Sequence, residues 1–179
     1  MVKIDFGNSV KQSIEIVKLN GKVAENVSKD KNATLNGILI IAIGAFLSQA
    51  LNLEIITIVS TLIIGIIGYF IVIGITHIVA HLFGGKAKFI EYFRAQSHAN
   101  ILGWLGILAI IPFLGGIINI LATIWGIVVS VMILENVHKL TRGKAIVVAL
   151  LPIILLTLLV VIGTIAYFGA SNPETLLPK

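Results

Sequence analysis

The 179-residue chain has no cysteine. That excludes disulfides and thiolate metal sites. Charge is also scarce. Only 12% of the residues are Asp, Glu, Lys or Arg, against about 25% in an ordinary soluble domain. No Walker loop, His-Glu-x-x-His, Gly-x-Ser-x-Gly or dinucleotide fingerprint occurs, and Ser97 and Ser130 have no recognisable base partner, so no enzyme class is supported. The first thirty residues lack the order of a cleavable signal. Acidic residues number eight against thirteen basic ones. Such a balance can suit nucleic acid, but here the basic residues flank apolar runs. Anionic lipid headgroups are the expected partner, and nucleic acid is not.

Apolar sequence is abundant instead. Hydrophobic residues make up 58% of the chain, and the mean hydropathy is +1.07. Residues 1–33 are polar and Lys-rich, and the long apolar runs lie between 34 and 170. About 20 apolar residues cross a bilayer core as a helix. Hydropathy and breakers suggest five transmembrane helices, at about 34–51, 55–83, 99–113, 117–134 and 145–168. The second is over-long for the core, so it should reach past the membrane. Gly84-Gly85 stop it. Residues 86–98 read as an amphipathic interfacial segment, and Pro152 as a kink in the fifth span.

Charge sets the orientation. Lys3, Lys11, Lys18, Lys22, Lys29 and Lys31 precede the first span. Lys86, Lys88 and Arg94 lie between the second and third, and Lys139, Arg142 and Lys144 between the fourth and fifth. Only Lys179 falls on the other side. By the positive-inside rule the N-terminus is cytoplasmic and the tail, 171–179, external. The expected fold class is therefore an all-α integral, multi-pass protein of the cytoplasmic membrane.

Residues 1–33 form a cytoplasmic arm. Val10, Ile14, Val17, Gly21, Ala24 and Val27 recur at helical spacing, with Asn8 or Ser9 as a cap, and Lys11, Lys18, Lys22 and Lys29 form a neighbouring stripe. This basic amphipathic helix either lies on the leaflet, with the four lysines against headgroups, or packs on the membrane domain.

Three stretches carry a family resemblance: HIVAHLFGGKAKF (77–89), the Ser97-to-Gly116 run with its Pro-Phe-Leu-Gly-Gly turn, and MILENVHKLTRGKAIVVALLP (132–152). In them the chain resembles the Ypt-interacting (Yip) domain family of five-span membrane proteins, in its prokaryotic form. Asn20 is followed by Gly21 where the family has Pro. The resemblance implies five spans and a cytoplasmic N-terminus. It does not bring the GTPase role of eukaryotic members, whose Asp-Leu-Tyr-Gly-Pro element is missing here.

All four histidines fall at the cytoplasmic ends of spans. His77 and His81 are one turn apart on the second, and Glu135 and His138 share a face if the fourth continues through them. Imidazole and carboxylate suit a divalent transition metal, zinc above all. The competing reading is a polar cluster that packs helices, with Glu135 paired to Lys139 or Arg142. His98 is a spare ligand. Two functions are therefore expected. The first is a non-catalytic Yip-like protein that organises the membrane or binds partners at its cytoplasmic face, possible homo-oligomerisation included. The alternative is a metal-ion or small-solute transporter or channel, with His77, His81, Glu135 and His138 at its cytoplasmic mouth.

Overall fold

A computed structural model describes residues 5–48 and 55–171, without the side chains of 169–171. The loop near Leu53 and nearly all of the expected external tail lie outside the described residues. Among those described the fold is all-α. Its elements are α1 (Phe6–Val17), α2 (Gly21–Lys29), α3 (Ala33–Leu47), α4 (Ile55–Leu82), α5 (Phe89–Ala99), a 3-10 helix (Asn100–Ile110), α6 (Leu114–Asn136) and α7 (Arg142–Ser171).

The expectation of five spans is not met. Three helices are long and apolar enough to cross a membrane: Ile55–Leu82, Leu114–Asn136 and Arg142–Phe168. A fourth is reached only if α2 and α3, bent by 115°, count as one span. The reason is geometric. α3 has 15 residues, about 22 Å at 1.5 Å per residue, against a hydrocarbon core of about 30 Å. The expected third span is divided. Its polar first part is α5 and its apolar part is the 3-10 helix of 11 residues, about 22 Å at 2.0 Å per residue. α4, by contrast, is unbroken through Gly65 and Gly68 and carries its histidines past Thr76.

The 3-10 form follows from the sequence. Asn100, Gly103, Gly106 and Ala109 are small or short and recur every third residue. Side chains three apart eclipse on a 3-10 helix, so these four make one narrow stripe. That stripe lets α3 come close. A Cβ on Gly44 would lie 3.6 Å from the Gly103 carbonyl carbon, and one on Gly106 would lie 3.3 Å from Ser48 Cβ. The Trp104 indole N–H donates to the Ile40 carbonyl (3.0 Å) across the same seam.

α5 is the hub, not an interfacial helix. Tyr92, Phe93, Ala95, Ser97, His98 and Ala99 are buried, and α5 packs against α1, α2, α3, α4 and α6. Phe93 stacks on Phe70 of α4, centroids 4.7 Å apart. On its opposite side a Cβ at Gly37 of α3 would collide with the Ser97 hydroxyl. Arg94 ties the arm down, donating to Thr34 Oγ1 (2.8 Å) and to the Ser28 carbonyl (3.1 Å).

The arm is two helices, because Leu19 takes a left-handed turn (φ 69°). Asp5 caps α1 and Asn20 caps α2, each through a side-chain oxygen. Ser9, a cap candidate, is buried and bonded to Asn36 Nδ2 (2.7 Å). Ile16, Ala24 and Val27 are fully buried. The Trp125 indole N–H of α6 donates to the Val17 carbonyl (2.8 Å). The apolar stripe of the arm thus packs on the helical bundle. The bundle's own exposed faces are apolar, with Ile63, Ile64, Ile67 and Ile71 of α4 and Leu158 to Ile162 of α7 all exposed. Continuous apolar surface of this kind is stable only in lipid or against another protein.

Candidate metal centre

The ends of α4 and α6 and the start of α7 meet at one pole of the bundle. There the Lys144 ammonium of α7 donates to the Phe83 carbonyl (2.9 Å) just past α4. α4 ends in a glycine cap. Gly84 adopts φ 92°, its N–H donates to the His81 carbonyl (2.9 Å), and the Gly85 N–H donates to the Ala80 carbonyl (2.8 Å). This pair of bonds satisfies carbonyls that a helix end otherwise leaves free. It also turns the chain back across His77 and His81.

α6 stops at Asn136. His138 therefore sits in the turn that follows, and Lys139 closes that turn in a left-handed conformation (φ 59°). The His138 carbonyl accepts from the Lys86 N–H (3.0 Å), which fastens this turn to the one after α4. The result brings His77, His81 and His138 together. One nitrogen from each lies within 4.8 Å of the others. His77 Nδ1 and His138 Nε2 are 3.3 Å apart. His81 Nε2 lies 3.0 Å from the Ala87 carbonyl, so that nitrogen carries the proton and Nδ1 keeps its lone pair.

Aromatic rings wall the site. Tyr92 lies 5.0 Å from His138 and 6.3 Å from His77, centroid to centroid, and Phe89 lies 5.5 Å from His77. Gly85 matters for a further reason. A Cβ there would stand 2.6 Å from His138 Nδ1 and 2.8 Å from the Ala80 carbonyl oxygen. His138 is fully buried and His81 is exposed, so the trio has a closed floor and an open rim. Burial first, then the His77 and His81 charges, push the His138 imidazole down to about 4. It is neutral at physiological pH, as a metal ligand must be.

Glu135 does not join the trio. Its carboxylate lies 3.9 Å from Arg142 Nε, and it lines a crevice with Leu19, Met132 and Ile146. The shared face expected of Glu135 and His138 required helix through both, and α6 ends between them. His98 is elsewhere too, fully buried in α5 with Nδ1 donating to the Arg94 carbonyl (2.8 Å). Burial lowers its pKa. The sequence reading missed Gly85 and Ala87; the signal was the Gly-Gly cap itself, which forces residues 85–87 back over the last turn of α4.

The trio suits a divalent transition metal chemically. Nitrogens about 2.0–2.1 Å from a tetrahedral metal are about 3.3 Å from one another. The His77–His138 separation already has that value, and His81 has to approach by a small rotation. The Ala87 carbonyl is the outer partner that holds His81 in its tautomer. Three nitrogens leave a fourth position open.

Comparison with known families matches residues 29–164 to the Yip1 domain. No curated protein and no solved structure matches the chain. The match covers most of the sequence and includes α3 to α7 up to Thr164, with both turns that build the trio. The chain belongs to the Yip1 domain family and is a non-enzymatic, multi-pass membrane protein, with three or at most four spans rather than five.

Proposed function

We propose that the protein captures a divalent transition metal ion, zinc foremost, at the cytoplasmic mouth of its bundle, in a transporter- or channel-like role at the cell membrane. The observation that carries this is the convergence of His77, His81 and His138, with one nitrogen of each within 4.8 Å of the others. A site with three nitrogens and an exposed rim has room for an exchangeable fourth ligand, unlike a closed structural zinc site. Charge favours the cytoplasmic side, because Lys86, Lys139, Arg142 and Lys144 surround this pole. The test is zinc titration of the purified full chain against a chromophoric chelator, beside single His→Ala variants at the three positions. One zinc per chain, lost in each variant, supports the reading. Equal zinc binding by the wild type and the triple variant refutes it.

A second reading concerns the arm. Lys11, Lys18, Lys22 and Lys29 remain exposed after the arm has docked, so they are available to anionic headgroups although the apolar stripe is not. Lys18 and Lys29 also pair with Glu15 (3.2 Å) and Glu25 (2.7 Å), which leaves Lys11 and Lys22 as the stronger contributors. Lipid binding of this kind weakens as salt is raised.

A further inference from the structure

Beneath the histidine trio, α4, α5, the 3-10 helix, α6 and α7 enclose a pocket of about 250 Å³. Tyr92 belongs to both places. Its ring packs on His77 and His138 and also forms part of the pocket wall. The two sites differ in chemistry. No Asp, Glu, Lys, Arg or His lines the pocket. Its polar groups are neutral: Tyr69, Thr76, Tyr92, Gln96, Asn100 and Ser130 among them. A bare cation would find no charge to replace its hydration there, so the pocket is not a continuation of the metal site.

The pocket has an unmet need for a donor. Gln96 Nε2 donates to Ser130 Oγ (2.8 Å), while Gln96 Oε1 is buried with no hydrogen-bond partner. A buried amide oxygen without a donor is costly. Pro152, in the opposite wall, has no N–H for the Val148 carbonyl one turn back. Tyr69 cannot supply the missing proton, because its hydroxyl donates to the Gln96 main-chain carbonyl (2.6 Å). Gly126 lines the same space, and a Cβ there meets nothing nearer than Leu102 Cδ1 at 3.8 Å.

We infer that this pocket binds a small uncharged hydrogen-bond donor of the amide or alcohol type, held through Gln96 Oε1. The inference does not depend on metal binding at the trio. Acetamide is the probe and acetate its charged counterpart of nearly equal shape. Saturation-transfer NMR on the full chain in detergent micelles is expected to show acetamide bound and acetate not. Gly126→Leu fills the pocket from a position with free space, so it should abolish the acetamide signal and leave zinc binding at the trio intact. Gln96→Leu should weaken acetamide by about 3–10-fold, the loss of one hydrogen bond. No acetamide signal in the wild type, equal signals for acetate, or acetamide binding that survives Gly126→Leu overturns the inference. If Gly126→Leu fails to fold by circular dichroism, Gln96→Leu decides, and unchanged binding in that variant overturns the inference equally.

Discussion

The neighbouring glycines after α4 allow a test in which stability and metal binding separate. Gly85→Ala places a Cβ 2.6 Å from His138 Nδ1 and 2.8 Å from the Ala80 carbonyl oxygen. Real Cβ atoms do not come so close. The carbonyl belongs to the last turns of α4 and cannot yield, so the imidazole must. Overpacking of this sort costs about 1–3 kcal/mol. The displaced His138 also leaves the 3.3 Å approach to His77. A disturbed ligand geometry typically lowers metal affinity by about 10–100-fold. Gly84→Ala is the matched control. Gly84 sits at φ 92°, which costs an L-residue about 1–2 kcal/mol. Its Cβ would meet only Lys144 Nζ, at 3.9 Å. Both variants should therefore lose similar thermal stability in detergent, read by tryptophan fluorescence. Only Gly85→Ala should lose zinc affinity in a chelator competition. Equal loss of affinity in both, or none in Gly85→Ala, would refute the argument that His138 is positioned by contact with Gly85.

Glu135→Gln should leave zinc affinity within about twofold of wild type, since its carboxylate faces Arg142 and not the trio; chelator competition reads this directly. In the metal-free protein His138 stays neutral down to about 4, whereas an unfolded histidine titrates near 6.5. The unfolded state thus binds the extra proton between those values, so stability is full above about 6.5 and falls as pH drops towards 4. Melting curves at pH 7 and 4.5 should show that drop, and His138→Gln should flatten it. Trp125→Phe removes the bond to the Val17 carbonyl, worth about 0.5–1.5 kcal/mol; limited proteolysis should then cut the arm sooner. Cysteines at Lys18, Lys88 and Arg142 should label from one side of the membrane only, and labelling of Arg142 from the opposite side would overturn the assigned sidedness.

Where periodicity was long and unambiguous the sequence was a good guide. α4 was readable from one apolar run and a Gly-Gly stop, and with it the one-turn spacing of His77 and His81. The Yip resemblance was readable from the same turns. Helix type was not. Hydropathy records that residues 99–113 are apolar, but not whether each residue advances about 1.5 or 2.0 Å. The period-three stripe from Asn100 to Ala109 was the available signal. The placement of Glu135 failed for a related reason. A face shared by residues three apart exists only while the helix lasts, and nothing local to Glu-Asn-Val-His marks the stop at Asn136. The arm's docking depends on Arg94, Trp125 and Asn36, each more than twenty residues away from its partner.

The unequal lengths of the helices give the molecule two flanks of different height. α3 and the 3-10 helix pack together and expose Phe46, Ile107 and Ile110, over about 22 Å of rise. α4 exposes isoleucines along a helix of 28 residues, about 42 Å. A bilayer touching both must thin on one side and thicken or let the helix tilt on the other, at fractions of a kcal/mol per Å. Such a body is a wedge in the plane of the membrane. It should collect where the bilayer is already thin or bent, and many copies together should bend a flat one. Vesicles made from short-chain lipids should accept the protein more readily than vesicles made from long-chain lipids.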